Sequence, residues 1–282
     1  MAGMAELLKK YDILPKHSWG QNFLSDGNAL DRIMDAIDLK EDDEFVLEYG
    51  AGLGALTEKM AKEGRTVVAV ERDRELCEVL RQLKWPGAVE IMEDNAKTFD
   101  LEPLFQRAGK PFKLVGNLPY QLTSPLLFKT LRERHMISQA SFLIQAEVAK
   151  RLAAQPGGKD YSILSIIFQR VAKIRKAVQV KRGCFIPIPK VDSTFIILEF
   201  VDDPELQVKD EQLFIDLVKA SFNQRRKTIA NSIKTQPFVK LDKAQMEALK
   251  SELPWMEKRR AEELSIKEFV GMCETLHGVL SR

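Results

Sequence analysis

Phe45-Val46-Leu47-Glu48-Tyr49-Gly50-Ala51-Gly52-Leu53-Gly54 reads as a strand running into a glycine turn, and Ala55 to about Glu63 as the helix that leaves it. Glycines in such a turn let a ligand approach the backbone closely, and the helix start offers unpaired N–H groups. Taken as Gly-x-Gly-x-x-Ala, the same letters match a dinucleotide fingerprint, so the glycines alone do not choose a cofactor. A structural turn without a ligand would use them equally. The next strand, Thr66-Val67-Val68-Ala69-Val70, ends in Glu71, an acid placed after one strand–helix–strand unit to accept from a ribose diol. Val89-Glu90-Ile91-Met92 gives a third strand, followed by Glu93-Asp94-Asn95-Ala96, where Asp94 or Asn95 can accept from an adenine amine. Lys113 to Val115 is a fourth strand and Ser141 to Gln145 a fifth. Strands alternating with helices imply an α/β fold, a parallel doubly wound sheet with ligands at the carboxyl ends of its strands.

The fourth strand delivers Val115-Gly116-Asn117-Leu118-Pro119-Tyr120 into a loop. Asn117 offers a side-chain oxygen, Leu118 or Pro119 a backbone oxygen, and Tyr120 a ring. Two acceptors would bind the hydrogens of an exocyclic base amine, localise its lone pair and stabilise the positive charge that develops on transfer, while the ring stacks on the base. An ordinary strand-end turn is the plainer reading, since Asn and Pro are common turn residues.

Residues 1–27 read as loop, and Asn28 to Leu39 as a helix capped by Asp26. Glu147 to Ala154 and Tyr161 to about Arg170 read as helices, and Ala172 to Val180 as a strand with Lys173 and Arg175 on alternate positions. In Phe185-Ile186-Pro187-Ile188-Pro189-Lys190-Val191-Asp192-Ser193, prolines on both sides of Ile188 exclude a central strand and predict a rigid loop. Such a loop can present Phe185 for stacking and Lys190 to a phosphate, or serve packing alone. Thr194 to Phe200 is an apolar strand. From Pro204 onward the pattern is helical, over Glu211 to Phe222, Ile229 to Ile233, Ala244 to Leu249 and Ile266 to Leu276. The expected division is therefore an α/β domain over 1–203, including the N-terminal loop, and a small helical domain over 204–282. In the second, only Arg225-Arg226-Lys227 suits a nucleic acid.

A chain of 282 residues can bury a real core, and no run of about 18 apolar residues suggests a membrane span. Met1 to Lys10 lacks the apolar core of a secretory signal, so a cytoplasmic protein is expected. Cys77, Cys184 and Cys273 lie far apart and His17, His135 and His277 are scattered, which gives no basis for a disulfide framework, a metal site or a nucleophilic triad. The net charge of +2 hides a window between Asp160 and Asp192 that contains no acid but holds Arg170, Lys173, Arg175, Lys176, Lys181, Arg182 and Lys190. That window suits a polyanion, unless it is simply a solvated basic face. No self-complementary apolar face stands out, so a monomer is expected.

Six blocks now line up in order: Gly20 through Leu24, Leu47 through Thr57, Val70-Glu71-Arg72-Asp73, Gly116 through Tyr120, Phe185 through Ser193, and Phe222 through Thr228. With them the chain resembles the ribosomal RNA adenine N6-dimethyltransferase family along nearly its whole length, and most closely its bacterial small-subunit branch. The resemblance implies a Rossmann-like class I methyltransferase sheet with a small C-terminal helical domain, and S-adenosylmethionine as methyl donor, without a metal. It implies that Asn22 and Leu24 hold the cofactor from the N-terminal loop, that Gly50 and Gly52 approach its methionine part, that Glu71 binds the ribose and that Asn95 binds the adenine. Asn117 would sit between methyl and target amine, with Leu118, Pro119 and Tyr120 completing the catalytic loop and Phe185 stacking on the flipped adenine. Lys190, Arg225, Arg226 and Lys227 would meet the RNA.

The implied reaction is an in-line displacement in which adenine N6 bonds to the sulfonium methyl as the carbon–sulfur bond breaks and S-adenosylhomocysteine leaves, carried out twice on each of two adjacent adenosines of 16S RNA in the small subunit, with a role in its maturation. No strong base is needed, because the amine becomes acidic only after it gains the methyl. Asn95 stands where the family often has Asp, Ala51 where Pro is frequent, and Gln121 where Asn is. A resistance-type enzyme acting on large-subunit RNA shares the chemistry, but Leu118 and the block from Phe222 to Thr228 favour the small-subunit branch. DNA adenine methyltransferases differ in the tetrad, and a nicotinamide oxidoreductase would need hydride-transfer residues that the chain does not offer. A non-catalytic assembly factor docking on immature subunits is the alternative from another class.

Overall fold

The computed structural model describes residues 3–282, apart from the side chain of His17. Two compact units form: one runs up to Ala149 and adds Arg175–Phe200, and the other combines Lys150–Ile174 with Val201–Arg282. Strands are β1 (Phe23–Leu24), β2 (Phe45–Tyr49), β3 (Thr66–Glu71), β4 (Val89–Glu93), β5 (Phe112–Asn117), β6 (Ile137–Gln145), β7 (Ala172–Val180), β8 (Phe185–Ile186) and β9 (Ser193–Phe200). Helices are α1 (Met4–Lys10), α2 (Gly27–Ile37), α3 (Ala55–Lys62), α4 (Arg74–Gln82), α5 (Glu102–Ala108), α6 (Thr123–Arg132) and α7 (Ala146–Leu152). They are followed by α8 (Ile163–Gln169), α9 (Glu211–Phe222), α10 (Ile229–Lys234), α11 (Lys243–Glu252) and α12 (Ile266–Leu280).

The main sheet has the order β4-β3-β2-β5-β6-β9-β7. β2 pairs in parallel with β3 on one side and β5 on the other, so the chain crosses over at β2 and opens a crevice at its carboxyl end. Register fixes what meets there. Tyr49 is level with Val70 and Gly116, and Glu71 is level with Glu93. The residues that leave these four strands, Gly50, Glu71, Asp94 and Asn117, therefore come together at one edge. β9 closes the other side antiparallel to β6. Beneath the sheet, α2 and α3 bury Ile33, Ile37, Leu56 and Met60 against Val46, Val67, Val115 and Leu143. α2 begins at Asp26, whose carboxylate accepts from Ala29 N at 2.7 Å. At its other end the buried Lys113 of β5 donates to the carbonyls of Ile37 and Asp38 at 3.2 and 2.7 Å and pairs with Asp43 at 2.8 Å. A lysine inside the sheet is thus fully partnered, as burial demands.

The N-terminal segment is more ordered than its mixed polarity suggests. Met4, Leu7 and Leu8 place α1 on a cluster of Phe23, Leu53, Leu76 and Val79. β1 pairs antiparallel with β8, Phe23 with Ile186 and Leu24 with Phe185, so the proline-bracketed loop begins as a strand.

In the second unit, Ile166, Ile167 and Phe168 of α8 are buried, and Tyr161 donates its hydroxyl to Leu264 O at 3.0 Å. These contacts explain why Lys150–Ile174, which the strand and helix pattern assigns to 1–203, groups with the C-terminal helices. Arg170 belongs here as well. It is 4% exposed, donates to Leu206 O at 3.0 Å, pairs with Glu211 and lies 4.8 Å from the Phe214 ring centre. Arg170 is therefore a packing residue and not part of a basic surface, whereas Lys173, Arg175 and Lys176 are exposed.

Candidate active site

A cavity of about 980 Å³, counted to its open mouth, lies at the strand ends of the first unit. Asn22, Leu24, Gly50, Gly52, Glu71, Asn95 and the loop Asn117–Tyr120 all line it, although they are spread over nearly a hundred residues of sequence.

Asn117 ends β5, and its Nδ2 donates to the backbone carbonyl of Asn22 at 2.9 Å. With the amide nitrogen held, Oδ1 is the atom left to accept. Leu118 N donates to Leu143 O at 3.1 Å and the Leu118 side chain is buried, which holds the residue in place at the cavity edge. Pro119 O is occupied: it accepts from Leu122 N at 2.8 Å and Thr123 Oγ1 at 3.4 Å, starting α6. Of the two backbone oxygens considered, Leu118's is therefore the one suited to an incoming amine. The Tyr120 hydroxyl lies 2.9 Å from Ser193 Oγ, which ties the loop to β9.

Glu71 is 7% exposed. Its Oε2 accepts from Gly52 N at 3.0 Å and its Oε1 from Arg72 N and Asp73 N at 2.8 and 2.9 Å. Burial raises its pKa, while the three backbone N–H groups act in the opposite direction. Held this way, the carboxylate keeps one acceptor site, on Oε2, for a ribose hydroxyl. At the end of β4, Asp94 Oδ1 accepts from Asn95 N at 2.6 Å and Asn95 Oδ1 accepts from Lys97 N at 3.1 Å, so each side chain retains acceptor capacity for an adenine amine.

Two features were not legible in the motifs. Asp73, 3% exposed, accepts from Lys16 Nζ at 2.7 Å and Gln21 Nε2 at 2.8 Å, while Gln21 Oε1 accepts from Lys16 N at 2.8 Å. This clasp fastens the segment bearing Asn22, Phe23 and Leu24 over the cavity. Beside it, Arg72 stacks on Trp19 at 3.8 Å. The second feature is Glu48, buried in the cavity wall, where desolvation pushes its carboxyl up to about 7.

Of the RNA-facing residues expected, Lys190 is exposed on the first unit. In the second unit Arg226 and Lys227 are exposed on the turn after α9, while Arg225 pairs with Glu262 at 2.6 Å. Phe185 is different. It is 1% exposed and packs with Leu24, Val115 and Val178, because pairing of β8 with β1 turns its ring into the core. Its ring is enclosed and not presented to a base.

Among the described lining residues Glu48, Glu71 and Asp94 are acidic and Arg72 alone is basic. That donor set fits a cation bearing hydroxyls and an amine, and it disfavours the pyrophosphate of a dinucleotide. S-adenosylmethionine, with its sulfonium, ribose and adenine, meets the description. Among the described residues no three His, Cys, Asp or Glu side chains converge as a metal would require.

A family profile described as Ribosomal RNA adenine dimethylase matches residues 14–277. The chain is 41% identical over 273 residues to the Ribosomal RNA small subunit methyltransferase A of Myxococcus xanthus, covering 96% of this chain and 94% of that one. It is 38% identical over 278 residues to the protein of that name from Syntrophus aciditrophicus, covering 98% and 99%. The fold matches a dimethyladenosine transferase from Plasmodium falciparum, at TM-score 0.72 and 25% identity over 89% of this chain and 95% of that one. It also matches the 23S rRNA methyltransferase ErmE, at 0.65 and 25% over 90% and 99%. The sheet is that of the Rossmann-like class I methyltransferases, and the chain belongs to the ribosomal RNA adenine dimethylase family.

Proposed function

We propose that this protein dimethylates N6 of two adjacent adenosines in small-subunit ribosomal RNA, acting as a cytoplasmic monomer in the maturation of the subunit. The observation that carries the reading is the Asn117 amide, locked by the Asn22 carbonyl and followed by Leu118 at the lining of an acid-bearing cavity.

When bound, S-adenosylmethionine supplies an electrophilic methyl group. Asn22 and Leu24 would hold the cofactor from the N-terminal segment, Gly50 and Gly52 would approach its methionine part, Glu71 would take the ribose, and Asn95, with Asp94 beside it, would take the adenine amine. Asn117 Oδ1 and Leu118 O accept the two N–H bonds of the target amine. That geometry draws the nitrogen lone pair out of conjugation with the ring and stabilises the positive charge that grows on nitrogen. The methylated amine is strongly acidic and releases its proton to water, so no imidazole is required. Tyr120 stacks on the target base, its ring oriented by Ser193. With Phe185 enclosed, the stacking role rests on Tyr120. Lys190, Arg226 and Lys227, with Arg225 exchanging Glu262 for phosphate, hold the RNA backbone.

The test is methyl transfer from labelled S-adenosylmethionine to unmethylated small and large subunits in parallel, with nucleoside analysis. Dimethyladenosine in small-subunit RNA alone supports the reading. Label in the large subunit moves the assignment to the resistance branch. Subunit binding without label leaves an assembly factor.

A further inference from the structure

The loop between β8 and β9 is anchored to the cavity at both ends. At its start, Ile186 pairs with Phe23 and packs with Phe23, Leu53 and Leu76, which line the cavity wall. At its end, Ser193 Oγ lies 2.9 Å from the hydroxyl of Tyr120. Between them the loop is stiff. Pro187 and Pro189 fix two backbone torsions, and Pro189 is buried. Asp192 accepts from Lys181 Nζ at 3.1 Å and Arg182 N at 2.9 Å, and its carbonyl accepts from Ala146 N at 3.0 Å. Held by this frame, Ile188 stands 66% exposed, the most exposed large apolar side chain of the loop, with Val191 at 43%. It is two residues from Ile186, so its backbone is within about 7 Å of that anchor.

A lone exposed isoleucine ordinarily needs no explanation. This one is displayed on a rigid loop beside a site whose proposed reaction requires a base to leave its stack. It is flanked by the exposed Lys181, Arg182 and Lys190, and Asp192 is the single acid from 161 to 192. The Asp192 charge is already met by Lys181 and the Arg182 N–H. Extruding a base leaves the faces of its neighbours open to water, and an aliphatic side chain inserted at that step covers them without reading their identity.

We infer that Ile188 is an apolar wedge that packs against the bases flanking the flipped adenosine, with Lys190 and Arg182 on the adjoining phosphates. The inference rests on the proposed RNA methyl transfer and adds a residue to it. An exposed side chain already set on a stiff loop loses little entropy on insertion, which suits this position better than the enclosed Phe185.

The test compares wild type, Ile188→Ser and Ile188→Met on unmethylated small subunits, and measures cofactor affinity for each. Ile188→Ser is expected to lower kcat/KM for the subunit by roughly tenfold or more, the cost of leaving a base step uncovered, with cofactor Kd within about twofold of wild type. Ile188→Met should restore most of the rate. A photo-crosslinking residue at 188 should attach to nucleotides adjoining the modified adenosines. Equal rates for Ile188→Ser and wild type, or crosslinks confined to ribosomal protein, would overturn the wedge while leaving methyl transfer intact. Absence of methylation by wild type would overturn the parent reading, and the wedge with it.

Discussion

Asn117 donates an Nδ2–H to the backbone carbonyl of Asn22, a residue 95 positions earlier, across 2.9 Å. That bond decides which end of the amide faces the reaction, because a donor committed to a carbonyl leaves the oxygen to accept. Asn117→Ala removes one of two acceptors aimed at the target amine. A fall in kcat of about 10²–10³ is expected, comparable to deleting one preorganised hydrogen bond to developing charge. Asn117→Asp should fare no better, since a carboxylate set against the Asn22 carbonyl repels it and loses the anchoring bond. Single-turnover methyl transfer, with cofactor affinity measured separately, distinguishes chemistry from binding. An Asn117→Ala protein with the wild-type single-turnover rate would remove Asn117 from the chemistry.

The Lys16–Asp73 pair tests a different property, retention of the cofactor. Asp73 holds Lys16 and Gln21, and with them the segment that covers the cavity. Lys16 is one-third exposed, so the pair is worth less than a dry one, about 1–2 kcal/mol as a charge-assisted bond partly screened by water. Lys16→Met should therefore weaken cofactor binding by roughly tenfold through faster dissociation, leaving kcat at saturation nearly unchanged. Asp73 also caps α4 through Glu75 N at 3.3 Å, so Asp73→Ala should cost about 1 kcal/mol of stability in addition. Stopped-flow dissociation of the cofactor is the measurement, and an unaltered off-rate in Lys16→Met would mean that the clasp does not govern release.

What could be read in the sequence were residues that act where their own strand ends. Glu71 and Asn117 each follow a recognisable apolar run, and a parallel register brings such positions together without further information. Pairings set by packing were not legible. Nothing near Lys16 announces an acid 57 residues away, and nothing about Arg170 announces that Glu211, 41 residues on, draws it into the interior. Phe185 shows a third limit. A two-residue strand is too short for alternation to tell which face a side chain takes, and its pairing partner Leu24 turns out to be core as well. The short helix α1 is not legible in the sequence because only Met4, Leu7 and Leu8 mark its buried face.

Gly54, at the start of α3, carries a steric prediction. Its φ is +81°, and a Cβ there would lie 2.4 Å from Cη2 of Trp85, an indole held by donation from Nε1 to Leu80 O at 3.1 Å. Gly54→Ala therefore adds a collision with an anchored ring to the cost of a left-handed residue, and should lose about 2–4 kcal/mol. Gly64, with φ +75° and open space around its Cβ position, provides the control: Gly64→Ala should lose only about 1 kcal/mol. Urea denaturation of the two variants separates strain from clash. Equal losses would mean that Trp85 moves aside freely.

Glu48 gives a pH dependence of known sign. Its carboxyl is pushed up to about 7: desolvation is the largest cause, a hydrogen bond from Thr57 Oγ1 at 2.5 Å opposes it, and the nearby Glu71 carboxylate adds to the rise. In the unfolded chain the group titrates near its ordinary value of 4.5. Between these two values the native state binds the proton that the unfolded state has released, so stability falls as pH rises. The contribution is complete below pH 4.5 and gone above about 7, a span worth at most about 3 kcal/mol at 1.36 kcal/mol per unit. Glu48→Gln keeps an oxygen for Thr57 and cannot ionise. Its stability should therefore exceed that of wild type by about 2–3 kcal/mol at pH 8, with the gap closing towards pH 4.5. Other carboxylates titrate over the same range in both proteins, so the difference between the two denaturation profiles is the quantity to follow. If wild type and Glu48→Gln run parallel from pH 4.5 to 8, Glu48 does not hold its proton in the native state.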